Sequence, residues 1–401
     1  MSKIEKILAF DYGAAHSAYW IEYAAIGSFA SVFLLARGYT NSAIGTILAI
    51  VNILSIFIQM FVANYLDQSK KATITGTVNA MCFIMMAMNF VQIFAKAKSW
   101  PLTIAFVIML SLCTSQHPLI NTLLVKFNDT GHNVPYGVPR SCGSFAFAVT
   151  TAILGKILEN NVEPLPYLNL AFTILLVLVM IMVSKHYKMA LADKKEVVKT
   201  EEEEVVAISF MEFIKNNKYF MIACVGAIGL FFSQGLFNSF CLQICTDVGG
   251  TSQDMGNVLG IAAIFEIPAF IGFDFLIKKF KSKTILKCSA IAFGMKVLFA
   301  YLAKSVVLVY CAQFFHMLSF GLFMPSILRF VDEIMSKQEA VRGQSMATLV
   351  LTAGCVLASL VGGVVIDNAG VKTLLLIGAA ISFAGAALFI PMIEKSSKVA
   401  H

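Results

Sequence analysis

Residues 165–204 read LPYLNLAFTILLVLVMIMVSKHYKMALADKKEVVKTEEEE, in which an apolar run gives way to blocks of basic and acidic side chains. The apolar part is long enough to cross a bilayer, which takes about 20 residues. The charged part has the composition of a solvated linker. The stretch therefore predicts the end of a membrane-spanning helix followed by a long loop.

The rest of the chain repeats long apolar runs separated by short polar loops. Of its 401 residues, 58% are hydrophobic and 13% are charged, whereas soluble domains carry about 25% charged residues. So few charges cannot cover a soluble surface of this size. The composition excludes soluble enzymes, nucleic-acid binders and disordered chains.

The apolar runs predict twelve transmembrane helices, six on each side of the loop at 188–218. The predicted spans are 12–36, 43–65, 72–95, 101–126, 137–158, 165–187, 219–246, 254–277, 283–303, 306–330, 342–366 and 371–393. We therefore expect an all-α membrane protein with two six-helix pseudo-symmetric bundles, residues 1–187 and 219–401, joined by a cytoplasmic linker at 188–218.

The two halves repeat weakly in sequence. Gly45-Thr-Ile-Leu48 matches Gly256-Asn-Val-Leu259, and each motif begins the second span of its half. Gly155-Lys-Ile-Leu-Glu159-Asn160 similarly matches Gly363-Val-Val-Ile-Asp367-Asn368 at the end of the fifth span. Parallel six-span repeats are a transporter architecture, so the pattern favours a transporter.

The basic residues predict that both termini are cytoplasmic. With that orientation, only six of the 30 Lys and Arg residues fall outside and two fall within spans. Cytoplasmic loops are enriched in Lys and Arg, so this distribution indicates an even number of spans. We expect a multi-pass protein of a bacterial plasma (inner) membrane.

Five ionisable side chains fall inside predicted spans, where each costs at least ~2.5–3.5 kcal/mol. They are Glu22, Arg140, Glu266, Lys296 and His316. We expect Glu266 to accept a proton, with Lys296 and His316 tuning its proton affinity and Glu22 as the second candidate. Arg140 is the predicted substrate anchor, because a guanidinium bonds paired oxygens. The alternative for each is a structural side chain that snorkels or forms a helix-to-helix hydrogen bond.

Uncharged polar and aromatic side chains in the spans are further candidates for substrate contacts. These are Tyr19, Tyr23, His117, Asn121, Gln234, Asn238 and Gln313. Amides and hydroxyls hydrogen-bond sugars, nucleosides and carboxylates alike, so they do not select a substrate.

The segment Tyr136-Gly-Val-Pro-Arg140-Ser-Cys-Gly143-Ser144-Phe-Ala-Phe147 resembles a fifth-helix signature of the major facilitator superfamily. The resemblance is to the branch with lactose permease, phenylpropionate permeases and nucleoside proton symporters. It implies that Arg140 and Phe147 contact substrate. Glu266-Ile-Pro268 and His316-Met317 resemble eighth- and tenth-helix elements of the same branch, and Lys296 takes the place of a ninth-helix arginine. Asp67, Lys70 and Lys71 resemble the superfamily's gating loop.

Three positions depart from that branch. Asn121 replaces a fourth-helix glutamate, Ser319 replaces an essential tenth-helix glutamate, and Gln313 replaces a lysine. The chain therefore lacks the acid that carries the proton in lactose permease, and lactose is not the expected substrate.

These observations predict proton-coupled symport of a small sugar, oligosaccharide or nucleoside-like solute by alternating access. A neutral solute of this kind fits if Glu22 neutralises Arg140, and Phe147 places this reading first. If Arg140 is unpaired, an aromatic or other organic carboxylate fits better. A uniporter or antiporter of the same fold is the remaining alternative.

Other classes of protein lack support in the sequence. No HExxH or GxSxG motif is present, so we expect no enzyme, and scattered single charges do not form the ring of a channel. The nine cysteines lie in apolar stretches without metal-ligand spacing. We expect no cofactor, no metal and no nucleic acid, and a monomer in the lipid bilayer that binds a small solute and a proton.

Overall fold

The computed structural model describes residues 1–69, 71–193 and 209–399, and these ranges are helical with short connections. The helices are α1 (Lys3–Tyr23), α2 (Ala30–Ala36), α3 (Asn41–Gln68), α4 (Ile74–Phe94), α5 (Trp100–Asn128), α6 (Gly137–Leu158), α7 (Leu165–Ala192), α8 (Phe210–Asn216), α9 (Lys218–Thr246), α10 (Ser252–Lys279), α11 (Ser282–Leu302), α12 (Val306–Ala312), α13 (Phe314–His316), α14 (Leu322–Ile334) and α15 (Lys337–Val399). Lys70 of the predicted gating loop and the acidic run at 201–204 lie outside the described residues.

Eleven helical segments of the described chain are long and apolar enough to cross a membrane. The last of them, Gln338–Ser397, has 60 residues. At 1.5 Å per residue a straight helix of that length would be about 90 Å long, three times the ~30 Å hydrocarbon core. It turns at Gly370, where φ is 80° and ψ is 171°. Since α15 crosses twice, the described chain makes twelve crossings, which confirms the predicted number.

Contacts divide the chain into two compact units. The first holds Met1–Thr40 and the chain from Ile50 to the linker, and the second holds Asn41–Ala49 and the chain after the linker. Within the first unit, α1 packs on α6 and α7, and α4 packs on α5 and α7. Within the second, α15 packs on α9 and α11. The bundle bounds of 1–187 and 219–401 stay a prediction, because the start of α3 groups with the second unit.

A π-helical turn interrupts one span in each unit. Ala24–Ser28 follows α1 directly, and Met317–Gly321 follows α13 directly. Such turns add a residue to one helical turn and are frequent at functional sites. Each lies next to a predicted site residue, Glu22 in the first unit and His316 in the second.

Three phenylalanines fix the helices that carry the second unit's polar residues. Phe231 on α9, Phe293 on α11 and Phe323 on α14 meet edge to face, with ring centroids 5.3–5.7 Å apart. Residues three positions apart share a helix face. Gln234 and Lys296 therefore follow the first two rings by about one turn on the same side, toward the polar interior of the unit.

Candidate functional site

Lys296 is the centre of a hydrogen-bonded chain in the second unit. Its ammonium lies 3.0 Å from Nδ1 of His316 and 3.3 Å from Oε1 of Gln234. The third side of the ammonium faces the ring of Phe237, whose centroid is 4.3 Å away. Lys296 is only 2% exposed. An ammonium in the bilayer interior is costly, and a desolvated cation–π contact of about 2 kcal/mol offsets part of that cost.

His316 joins this lysine to an acid. Its Nε2 lies 2.8 Å from Oε1 of Glu266. A lysine ammonium has hydrogens to donate and no lone pair to accept, so Nδ1 of His316 accepts from Lys296. The imidazole is then neutral, carries its hydrogen on Nε2 and donates it to the Glu266 carboxylate. A neutral ring thus connects a buried cation to a carboxylate, and the formal charges sum to zero.

The chain continues beyond the lysine. Gln234 accepts from Lys296 and donates from Nε2 to Oδ1 of Asn238 at 3.2 Å. We call these five residues the polar relay: Glu266, His316, Lys296, Gln234 and Asn238. Protein covers the middle of the polar relay, whereas Asn238 is exposed and 18% of the Glu266 side chain is exposed. The two ends of the polar relay are therefore more accessible than its middle.

Gln313 does not join the polar relay. It is buried, and its amide donates to the backbone carbonyl of Val309 in its own helix at 3.4 Å. The sequence placed it with the substrate contacts because of its position near His316. Gln313 lies between α12 and α13, and this bond joins its side chain to the preceding turn of α12.

In the first unit, a cluster of aromatic side chains surrounds Trp20. Trp20 on α1 is its hub, and its ring centroid lies 5.3 Å from those of Tyr19 and His117 and 5.6 Å from that of Phe147. Tyr23 lies 5.5 Å away, edge to face. We call Tyr19, Trp20, Tyr23, His117 and Phe147 the aromatic cage. Asn121 lies beside it, with its amide 3.5 Å from Nε2 of His117.

Arg140 lies against this cage. Its guanidinium carbon is 5.5 Å from the centroid of Trp20. Among the described residues no carboxylate forms an ion pair with it. Its Nη1 is buried without a hydrogen-bond partner in that part of the chain. A guanidinium in this state presents donors to an anion, because buried cations are normally paired.

Glu22 is fully buried in the first unit and does not pair with Arg140. The hydroxyl of Thr173 on α7 faces it, but that hydroxyl donates to the carbonyl of Asn169 at 3.0 Å. Neither carboxyl oxygen of Glu22 has a hydrogen-bond partner among the described residues. The neutralisation of Arg140 by Glu22 that would favour a neutral solute is absent from the described geometry.

Sequence reasoning missed Trp20 and Phe237. Trp20 is one of only two tryptophans, and it lies between Tyr19 and Glu22, which the sequence did single out. Gly143 was a second signal. A Cβ there would lie 2.5 Å from Cδ1 of Trp20, so the glycine makes room for the indole. In the predicted gating loop, Asp67 and Lys71 are both exposed.

Comparisons with known proteins identify the family and the fold. The sequence pattern of the MFS_1 like family matches residues 14–377. A mutant of the nucleoside transporter NupG is similar in structure, with a TM-score of 0.78 and 16% identity over 97% of this chain and all of that one. Another NupG structure gives a TM-score of 0.70 and 15% identity over 98% and 99%. No curated protein sequence matches.

The family match covers most of the chain, and the fold is that of the major facilitator transporters. Members of this superfamily are transporters, and transport is not an enzymatic activity. The chain is a multi-pass membrane transporter that belongs to the MFS_1 like family of the major facilitator superfamily.

Proposed function

We propose that the protein is a proton-coupled symporter of small organic carboxylates, with a preference for aromatic ones. The observation that carries this proposal is the position of His316 between Lys296 and Glu266, with Nδ1 3.0 Å from the ammonium and Nε2 2.8 Å from the carboxylate. A proton arriving at the polar relay goes to the Glu266 carboxylate, because protonating the imidazole would put two cations 3.0 Å apart.

Protonation of Glu266 makes the protein favour an anion. It removes the negative charge that balances Lys296 across His316, so the second unit gains one net positive charge. Uptake of a carboxylate together with the proton leaves the net charge of the loaded protein unchanged. Each ligand therefore raises the affinity for the other, and this reciprocity is the linkage that symport requires.

Arg140 and the aromatic cage support the choice of an aromatic carboxylate. The unpaired guanidinium offers two parallel donors to a carboxylate. The rings of Trp20 and Phe147 meet at 86°, so together they offer faces and edges to a planar solute. The transport cycle follows alternating access, in which the site opens to one side of the membrane at a time.

A nucleoside-like solute is the second candidate. The amides of Gln234 and Asn238 can bond a base or a ribose hydroxyl, and both similar structures are described as nucleoside transporters. The aromatic cage would stack on a base as readily as on a benzene ring. Under this reading the Arg140 guanidinium bonds neutral oxygens.

The test uses the purified protein in vesicles, with the external pH recorded as solutes are added. The decisive pair is an aromatic carboxylic acid and its primary amide, which share a shape and differ in charge. We expect alkalinisation with the carboxylate and none with the amide. Equal responses to both, or a response to nucleosides alone, would overturn the carboxylate assignment.

Glu266→Gln tests the proton role in the same vesicles. The amide keeps a hydrogen-bonding group next to His316 but binds no proton, so accumulation against a gradient should disappear while substrate exchange survives. Glu159→Gln, at an exposed acid just past α6, is the matched control and should transport normally. Full accumulation by Glu266→Gln would contradict the assignment.

A further inference from the structure

A polar groove in the first unit lies where α4 begins and α7 ends. Its volume is about 430 Å³. The lining comprises Thr73, Thr75, Gly76, Asn79, Ile181, Ser184, Lys185 and Lys188. Every polar side chain there can donate a hydrogen bond, and this part of the described chain contributes two lysines and no acid to the lining.

In the described part of the chain, the two lysines have no acidic partner. Lys185 and Lys188 are three positions apart on α7, so they project from one face of the helix. Both are exposed, and among the described residues neither forms an ion pair. Their charges are available to an anion in the groove.

The opposite wall adds neutral donors. Thr73 caps α4 by accepting from the N–H of Gly76 at 3.1 Å, so the N–H groups of Ile74 and Thr75 are left without an intrahelical acceptor. The Thr75 side chain is only 7% exposed, and its hydroxyl has no hydrogen-bond partner in the described residues. The Thr75 hydroxyl lines the groove, where it can donate a hydrogen bond to a ligand.

Apolar side chains extend from the groove along both helices. On α7, Ile174, Leu178 and Ile181 are exposed at helical spacing, and the same face continues into Lys185. On α4, Phe83 and Phe90 are exposed in the same way. In a membrane protein these surfaces contact acyl chains. The groove therefore lies where an apolar surface gives way to basic and polar groups.

We propose that this groove binds the phosphate headgroup of an anionic phospholipid, with the acyl chains along the exposed faces of α4 and α7. Basic pockets at a membrane surface bind such headgroups. A soluble phosphate would bond the same donors, but it would make no contact with the adjoining apolar faces of α4 and α7. None of the residues that line the groove belongs to the polar relay or the aromatic cage.

The test compares lipid retention by the full-length protein and its variants. The protein is extracted from vesicles of phosphatidylcholine doped with phosphatidylglycerol, and native mass spectrometry measures the bound phosphatidylglycerol. Combining Lys185→Gln with Lys188→Gln should lower its affinity by about tenfold or more, since each lysine contributes about 1 kcal/mol. Lys278→Gln with Lys281→Gln removes the same charge from exposed positions elsewhere and is the matched control.

Thr75→Val and soluble phosphate complete the experiment. Valine keeps the shape of threonine without the hydroxyl, so Thr75→Val should fold normally and retain less phosphatidylglycerol. Inorganic phosphate should not displace the lipid. Equal loss in the two lysine pairs, unchanged retention by Thr75→Val, or displacement by inorganic phosphate would each overturn the lipid assignment.

Discussion

At the scale of single residues, the half-buried Arg140 and the buried Lys296 are two cations in opposite situations. Lys296 is saturated by Gln234, His316 and the ring of Phe237. Arg140 has a ring beside it but no carboxylate partner in the described chain. A saturated cation belongs to the charge balance of the protein, and an unsaturated one is available to a ligand. This difference supports our proposal that Lys296 belongs to the proton-coupling residues and Arg140 to the anion-binding ones.

Arg140→Lys tests whether the guanidinium shape matters beyond its charge. Lysine keeps the charge but loses the bidentate fork, and one charge-assisted hydrogen bond is worth about 1.5–3 kcal/mol. We expect substrate affinity, measured by the concentration dependence of uptake, to fall by about tenfold or more. Arg329→Lys changes an exposed arginine and serves as control. Equal affinities for the wild type and Arg140→Lys would remove Arg140 from the site.

At the scale of helices, Gly143 makes the aromatic cage possible. A glycine inside a helix is about 1 kcal/mol less favourable than alanine, so its presence in α6 needs a reason. The reason is Trp20, whose Cδ1 would lie 2.5 Å from an added Cβ. Because Trp20 touches the other four rings of the cage, a displacement of this indole changes the whole cluster.

Gly143→Ala is therefore expected to impair transport without unfolding the protein. Trp20 must shift to admit the methyl group, so substrate affinity should fall, while the gain in helix propensity limits any loss of thermal stability. Gly272→Ala is the matched control, because Gly272 on α10 has open space around its Cβ position. A Gly143→Ala protein with normal uptake would show that the position of Trp20 is not critical.

The two π-helical turns belong to the same scale. Each alters the helical phase immediately after a buried site residue, so residues on the two sides of the turn face different neighbours. In the first unit, Gly27 within the turn lies under the ring of Tyr23, where a Cβ would approach to 2.9 Å. A regular helix would rotate the aromatic cage residues relative to α2.

At the scale of the whole molecule, Gly370 decides the number of crossings. Its φ of 80° with ψ of 171° lies in a region that only glycine occupies without strain. Without this turn, the apolar sequence of α15 would continue as one helix far longer than the bilayer is thick.

Gly370→Ala should lower the thermal stability of the purified protein. A side chain in this backbone conformation costs about 1–3 kcal/mol, and the strain acts on the packing of the last two spans. Gly137→Ala, in the first turn of α6, has open space and an ordinary φ, so it should leave the melting temperature unchanged. If both variants melt at the wild-type temperature, an alanine side chain at position 370 does not strain the turn.

The orientation in the membrane is a whole-molecule prediction that depends on the Lys and Arg distribution alone. Positive loops stay in the cytoplasm, so both termini should be cytoplasmic. Green fluorescent protein fused after His401 should fluoresce, because it folds in the cytoplasm and fails to fold after export in an unfolded state. A fusion protein that is made in normal amounts but does not fluoresce would contradict the predicted cytoplasmic position of the C-terminus.

Much of the fold follows from the sequence. A bilayer imposes a length on every apolar run, so the spans could be bounded from hydrophobicity alone, and α6 begins and ends where the pattern predicts. The sequence also identified the five ionisable side chains within spans, because placing a charge inside the bilayer costs free energy and such residues tend to be functional. They are Glu22, Arg140, Glu266, Lys296 and His316.

Which of those residues meet was decided by the tertiary structure. Glu266, Lys296 and His316 lie on three different helices. No local sequence pattern dictates that α10 and α11 each bring a charged side chain to within 3.0 Å of His316 on α13. The same holds for Arg140, whose charge was evident but whose lack of an acidic partner depends on how α1 packs on α6. Hydrophobicity is a property of each segment, whereas pairing depends on the distances between segments, and only packing fixes those distances.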